Sequence, residues 1–110
     1  MYDPEIGQAF DFYEDDLAAN QRGELSSDQA IVLANAQRAR GGSRFGSTLH
    51  TTVGPFSWTS TLSGDWRGTI GEVVFAIDRL QMESLQQGAT YRLHYLDAGD
   101  TAWVMSIEAG

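Results

Sequence analysis

Cysteine and lysine are both missing from this 110-residue chain, which has only two prolines and two histidines. The absence of cysteine excludes a disulfide framework, a thiolate zinc site and a thiol nucleophile. Long apolar runs are missing too. The longest, Ala30 to Ala36, is broken by Asn35 and is far too short to span a bilayer. The opening Met1-Tyr2-Asp3-Pro4-Glu5 is acidic and lacks the basic-then-apolar pattern of a signal peptide. The expected location is therefore the cytoplasm, or the cytoplasmic face of a membrane reached only by tethering within a longer parent chain. No Walker, G-x-S-x-G or dinucleotide glycine motif is present, so no cofactor is expected.

What is present is enough for one core. Hydrophobic residues make up 42% of the chain, which argues against disorder. Fifteen Asp and Glu oppose seven Arg, for a net charge of −8. Such an excess makes nucleic acid an unexpected partner. The charge is not evenly spread. Residues 1–28 hold eight acids against Arg22 alone, a net −7, and residues 29–110 hold seven acids against six Arg, a net −1. The chain reads as an acidic head on a nearly neutral body. The simplest account is a solvated helix face. The sharper account is a contact surface for a protein partner, with Glu14, Asp15 and Asp16 facing it.

Local signals divide the chain near residue 41. Asp3-Pro4 is a helix start, since Asp caps and Pro suits the first turn. Ile6, Phe10, Tyr13 and Leu17 follow as one helical stripe, and Gly23 is a left-handed terminator. Ser26 and Gln29 form a capping box for a second helix, from about Ser27 to Arg40, with Ile31, Leu33 and Ala34 as its apolar positions. The two predicted helices make a hairpin over residues 1–40. Gly41-Gly42-Ser43 then reads as a flexible joint. Beyond it the texture turns to Thr and aromatics. Strands are predicted at 48–53 and 56–62, or one long strand bent at Gly54-Pro55, then at 65–70, 72–77, 91–96 and 102–107. A short helix over Arg79 to Gln87 falls between the third and fourth strands, capped by Asp78 and ended by Gly88. The predicted fold class is α+β: an N-terminal helical hairpin, then a five-stranded OB-like or SH3-like β-barrel at 44–110, the two forming separate domains or one compact unit.

Three stretches carry a resemblance. Asp15-Asp16-Leu17-Ala18-Ala19-Asn20-Gln21-Arg22-Gly23-Glu24-Leu25-Ser26 resembles an acidic L-A-x-N-x-x-G-x-L-S-x-x-Q turn, completed by Gln29. Leu85 to Leu96 resembles an L-x-x-G-x-x-Y-R-x-Y-Y segment, and Val104-Met105-Ser106-Ile107-Glu108 resembles an L-L-S-x-E strand. Together they resemble a group of uncharacterised bacterial membrane-associated proteins. In that group an acidic helical segment precedes a transmembrane helix pair and a small β-rich domain follows. Here Arg40-Gly41-Gly42-Ser43-Arg44 stands where the membrane segment would be, either as a natural joint or as a linker replacing it. The resemblance implies architecture and membrane proximity, and no activity.

Candidates for chemistry are few. Placing Gly23 at the sixth position of a calcium loop puts Ala18 first, Arg22 fifth and Gln29 twelfth, so the required carboxylates are missing. His50 and His94, with Asp65 or Asp97, lack any H-x-H or H-E-x-x-H spacing, and His94 reads as an outward polar residue. Neither a metal nor a catalytic residue is expected. The aromatics Phe45, Phe56, Phe75, Tyr91 and Trp103 read as core. Trp58, Trp66 and Tyr95, with Arg67 and Arg92, are the candidate binding residues if the β body stacks single-stranded bases. The expected function is a non-enzymatic interaction or scaffold module, with an oligonucleotide-binding barrel as the alternative.

Overall fold

A computed structural model describes residues 2–39, 48–99 and 101–110. It shows an α+β chain with four helices and a five-stranded mixed sheet. The helices are α1 (Pro4–Phe10), α2 (Glu14–Gln21), α3 (Ser27–Ala39) and α4 (Arg79–Ser84). The strands are β1 (His50–Ser60), β2 (Trp66–Ile70), β3 (Val73–Ile77), β4 (Thr90–Asp97) and β5 (Ala102–Ala109). The predicted Gly41-Gly42-Ser43 joint, Arg40, Arg44 and Phe45 lie outside the described residues. Among the described residues no helix is long and apolar enough to cross a membrane.

The single first helix expected from the stripe is in fact two. Asp3 caps α1 through its side chain, accepting from Glu5 N at 2.9 Å. Eight residues later Asp11 turns left-handed, at φ 59° and ψ 52°. Asp is one of the few residues that tolerates this region. The chain then folds back so that Phe12 N donates to Gly7 O at 2.9 Å, across the face of a residue without a Cβ. Phe12, which is off the stripe, is buried, and Tyr13, which is on it, is 67% exposed. Tertiary packing of Phe12 against Tyr2 wins over continued helical periodicity.

β1 is one long strand, and Gly54-Pro55 lets it serve two neighbours. Its first half pairs with β4 and its second half with β2. The pairings run β1-β2-β3-β5-β4 and return to β1, all antiparallel except β3 with β5. That parallel seam rests on one register pair, Phe75 opposite Ala102. Inside the sheet lie Phe56, Ile70, Phe75, Leu93 and Ile107, all at or near zero exposure. Gly68 leaves room for them, since a Cβ there would lie 2.8 Å from the Phe75 ring. Ile6, Phe10, Phe12 and Leu17 belong to the same apolar cluster, so α1 and α2 share the core of the sheet. α4 ends at Ser84, three residues before its predicted end, because Leu85 turns extended and drops into that core. A smaller cluster of Leu33, Leu96 and Met105 fixes α3 to the outside of the sheet.

Candidate functional site: a groove beside a buried polar network

The helices meet the outer face of β4 and β5 through hydrogen bonds as well as through the Leu33 cluster. Asn20 of α2 is buried, and its Nδ2 donates to Glu24 O at 2.8 Å and to Gln29 Oε1 at 2.7 Å. Its Oδ1 accepts from Ser106 Oγ at 2.6 Å and from Gln29 Nε2 at 3.2 Å. The amide orientations follow from the backbone. Gln29 Oε1 accepts from Ser26 N and Gln29 Nε2 donates to Met105 O, both at 3.1 Å. Neither amide can be turned over without setting like against like. Gln29 N also donates to Ser26 Oγ at 3.1 Å, completing the expected capping box. The Ser26 hydroxyl in turn donates to Asp16 Oδ1, and Asp16 Oδ2 accepts from Tyr13 N at 2.7 Å. Thus Asp16, assigned from sequence to the partner-facing surface, is buried and caps α2. Glu14 and Asp15 remain exposed.

A second chain of bonds lies two residues further along β5, at Glu108. Gln21 Nε2 donates to Glu108 Oε1 at 2.9 Å, Glu108 Oε2 meets His94 Nε2 at 3.0 Å, and His94 Nδ1 meets Thr51 Oγ1 at 2.8 Å. His94 does face away from the sheet interior, but it is only 2% exposed, paired there with Glu108, which α2 meets through Gln21. Burial pushes the Glu108 carboxyl up. Hydrogen-bond donation, first from His94 and also from Gln21, outweighs burial and holds the group below its ordinary value. Among the described residues no group of three or more His, Asp and Glu is placed to hold a metal ion. The signal for both networks was present in the sequence. Asn20, Ser26, Gln29, Ser106 and Glu108 all belong to the quoted motif stretches, yet no spacing rule says that they meet.

The other sequence candidates do not gather. Trp58 and Trp66 lie close, with ring centroids 5.9 Å apart. Both share the inward alternation of Phe56 and Ile70, at the end of β1 and start of β2. Arg67, one residue on, takes the opposite face. Tyr95 stacks on His50 at 5.4 Å, at the far end of β1. Arg92 stands opposite Val53, six residues along β1 from Thr59, the partner of Arg67. At about 3.3 Å per residue that is roughly 20 Å. Two-residue alternation and the length of β1 therefore keep Arg67, Tyr95 and Arg92 apart from the Trp58–Trp66 pair.

What the fold does assemble is a groove of about 420 Å³ between α3, the α1–α2 turn and β5. Ile31 and Val32 of α3 form one wall, at 59% and 53% exposure, and Phe10 and Tyr13 form the other. Trp103, Val104 and Met105 of β5 make the floor. Asp11, Asp16 and Asp28 supply its charge, and no described lining residue is basic. α3 was expected to bury Ile31 and Ala34. It buries Leu33 alone of its apolar positions, because Gln29 docks the helix by its polar edge. No family model, curated protein or solved structure matches the chain.

Proposed function

We propose that the chain is a non-enzymatic interaction module whose groove takes a basic amphipathic segment of a partner protein. The observation that carries this reading is the union of exposed Ile31, Val32 and Tyr13 with an acidic rim. Exposed apolar side chains around a concavity mark an interaction site more often than scattered ones do. Asp11 and Asp28 on the rim, with Glu14 and Asp15 nearby in sequence, favour Arg or Lys along the polar edge of an inserted helix. The body carrying this head is inferred to be an OB-like barrel rather than an SH3-like one. The supporting features are the β1-β2-β3-β5-β4 order and a helix between the third and fourth strands. The oligonucleotide reading is disfavoured by the separation of Trp58, Tyr95, Arg67 and Arg92 along β1.

Fluorescence anisotropy with a labelled peptide, leucines on one helical face and lysines on the other, tests the reading. Binding is expected to weaken about tenfold, or 1.4 kcal/mol, in the double variant Ile31→Ser, Val32→Ser. It is expected to lose much of its salt dependence in Asp11→Asn, Asp28→Asn. A peptide with glutamates in place of the lysines should not bind. Equal binding of the two peptides would sink the proposal. So would tighter binding of single-stranded DNA at low salt.

A further inference from the structure

Outside the groove lies the Thr51–His94–Glu108 line, none of whose members lines it. We propose that Thr51 is a base-activated hydroxyl, a site where this chain accepts an acyl group from an activated ester. The assignment follows from proton placement. Glu108, ionised and fixed by Gln21, can only accept, so His94 presents Nε2–H to it. The Nδ1 lone pair then points at Thr51 Oγ1, and the hydroxyl donates along the 2.8 Å contact. Hydroxyl, imidazole and carboxylate stand in the order of a nucleophile, its base and the group that orients the base. The base and its orienting group are buried, at 2% and 3% exposure, while Thr51 is exposed. Arg92, exposed two residues before His94 and opposite Val53, puts a cation on the same outward face of β4.

In the proposed step Thr51 Oγ bonds to the carbonyl carbon and its proton passes to His94 Nδ1. The bond from that carbon to the ester's aryloxy oxygen breaks. The departing phenolate takes the proton back from the imidazolium, and the acyl group stays on Thr51 as an ester. The missing cysteine and lysine make the test clean, since the side chains that usually dominate acylation are absent.

The experiment is incubation of the whole chain with p-nitrophenyl acetate, followed by peptide mapping by mass spectrometry. Thr59 is the internal control, an exposed threonine on the same strand with Arg67, not an imidazole, opposite it. Acetyl is expected on Thr51 about a hundredfold faster than on Thr59, the scale of general-base assistance. It should be retained in Thr51→Ser and lost in Thr51→Val. His94→Gln, with folding checked by circular dichroism, should bring Thr51 down to the Thr59 rate. Should that variant fail to fold, the Thr51-to-Thr59 ratio in the unaltered chain decides alone. Equal labelling of the two threonines, or labelling confined to the amino terminus or His50, overturns the proposal.

Discussion

Asn20→Asp is the most revealing single change in this molecule, because it keeps shape and alters only donors. In the native chain Asn20 Nδ2 faces two acceptors, Glu24 O and Gln29 Oε1. A carboxylate oxygen placed there is repelled by both. Gln29 cannot turn over to help, since its own Oε1 and Nε2 are committed to Ser26 N and Met105 O. The way out is to fold with the new carboxyl protonated. Relative to an unfolded carboxyl with a pKa of about 3.9, holding that proton at pH 7 costs about 1.4 kcal/mol per pH unit, or about 4 kcal/mol. One O–H replaces two donated bonds, which adds about 1 kcal/mol. The loss at pH 7 is therefore about 5 kcal/mol, comparable with the whole stability of a small domain. The sign with pH is opposite to ordinary acid denaturation. The folded variant binds the extra proton, so its deficit shrinks as pH falls and is about 1 kcal/mol near pH 4. Urea melts of both proteins, followed by tryptophan fluorescence across this range, measure the deficit at each pH. A deficit below 1 kcal/mol at pH 7, or one independent of pH, would refute the amide orientations and the network built on them.

Glu108 titrates with the opposite sign. Its folded-state value lies below the ordinary 4.5, so its ionised form stabilises the fold above that value and the contribution is lost as pH falls through the lower folded one. Glu108→Gln should then be less stable than the native chain at neutral pH, and guanidinium melts should show the gap closing on acidification. Gly68→Ala places a Cβ 2.8 Å from the Phe75 ring and 3.2 Å from Phe56, and should cost about 1–3 kcal/mol by overpacking, read as a lower melting temperature. Gly7→Ala drives a Cβ to 2.8 Å from Phe12 O and onto the Tyr2 ring. It should cost a similar amount, about 1–3 kcal/mol, and free the α1–α2 turn to amide exchange.

Local chemistry was legible and its tertiary use was not. Asp3, Pro4, Ser26, Gln29 and Asp78 announced helix starts, and each starts one, because capping is decided within four residues. Runs of β-branched and aromatic residues around Phe56, Phe75 and Leu93 announced strands for the same reason. The break at Asp11 escaped because the stripe from Ile6 to Leu17 is unbroken on paper. Only the weak helix former Gly7 and the off-stripe Phe12 hinted that the chain folds back. The His94–Glu108 pairing escaped for another reason. It lies across β4 and β5, and a register shift between His94 and Tyr95 decides which side chains share a face. That shift comes from strand pairing, which no short window contains.

The attachment of α3 also has a mechanical side. The helix is anchored at its first turns by Gln29 and Leu33, and Ala39 lies ten residues beyond Gln29. At about 1.5 Å per residue the helix reaches about 15 Å from Gln29, with Leu33 holding it about 6 Å along that length. Tension on the chain beyond Ala39 thus reaches the Leu33 packing before the Asn20–Gln29 bonds. Pulling there would lift one wall of the groove before it disturbed any strand.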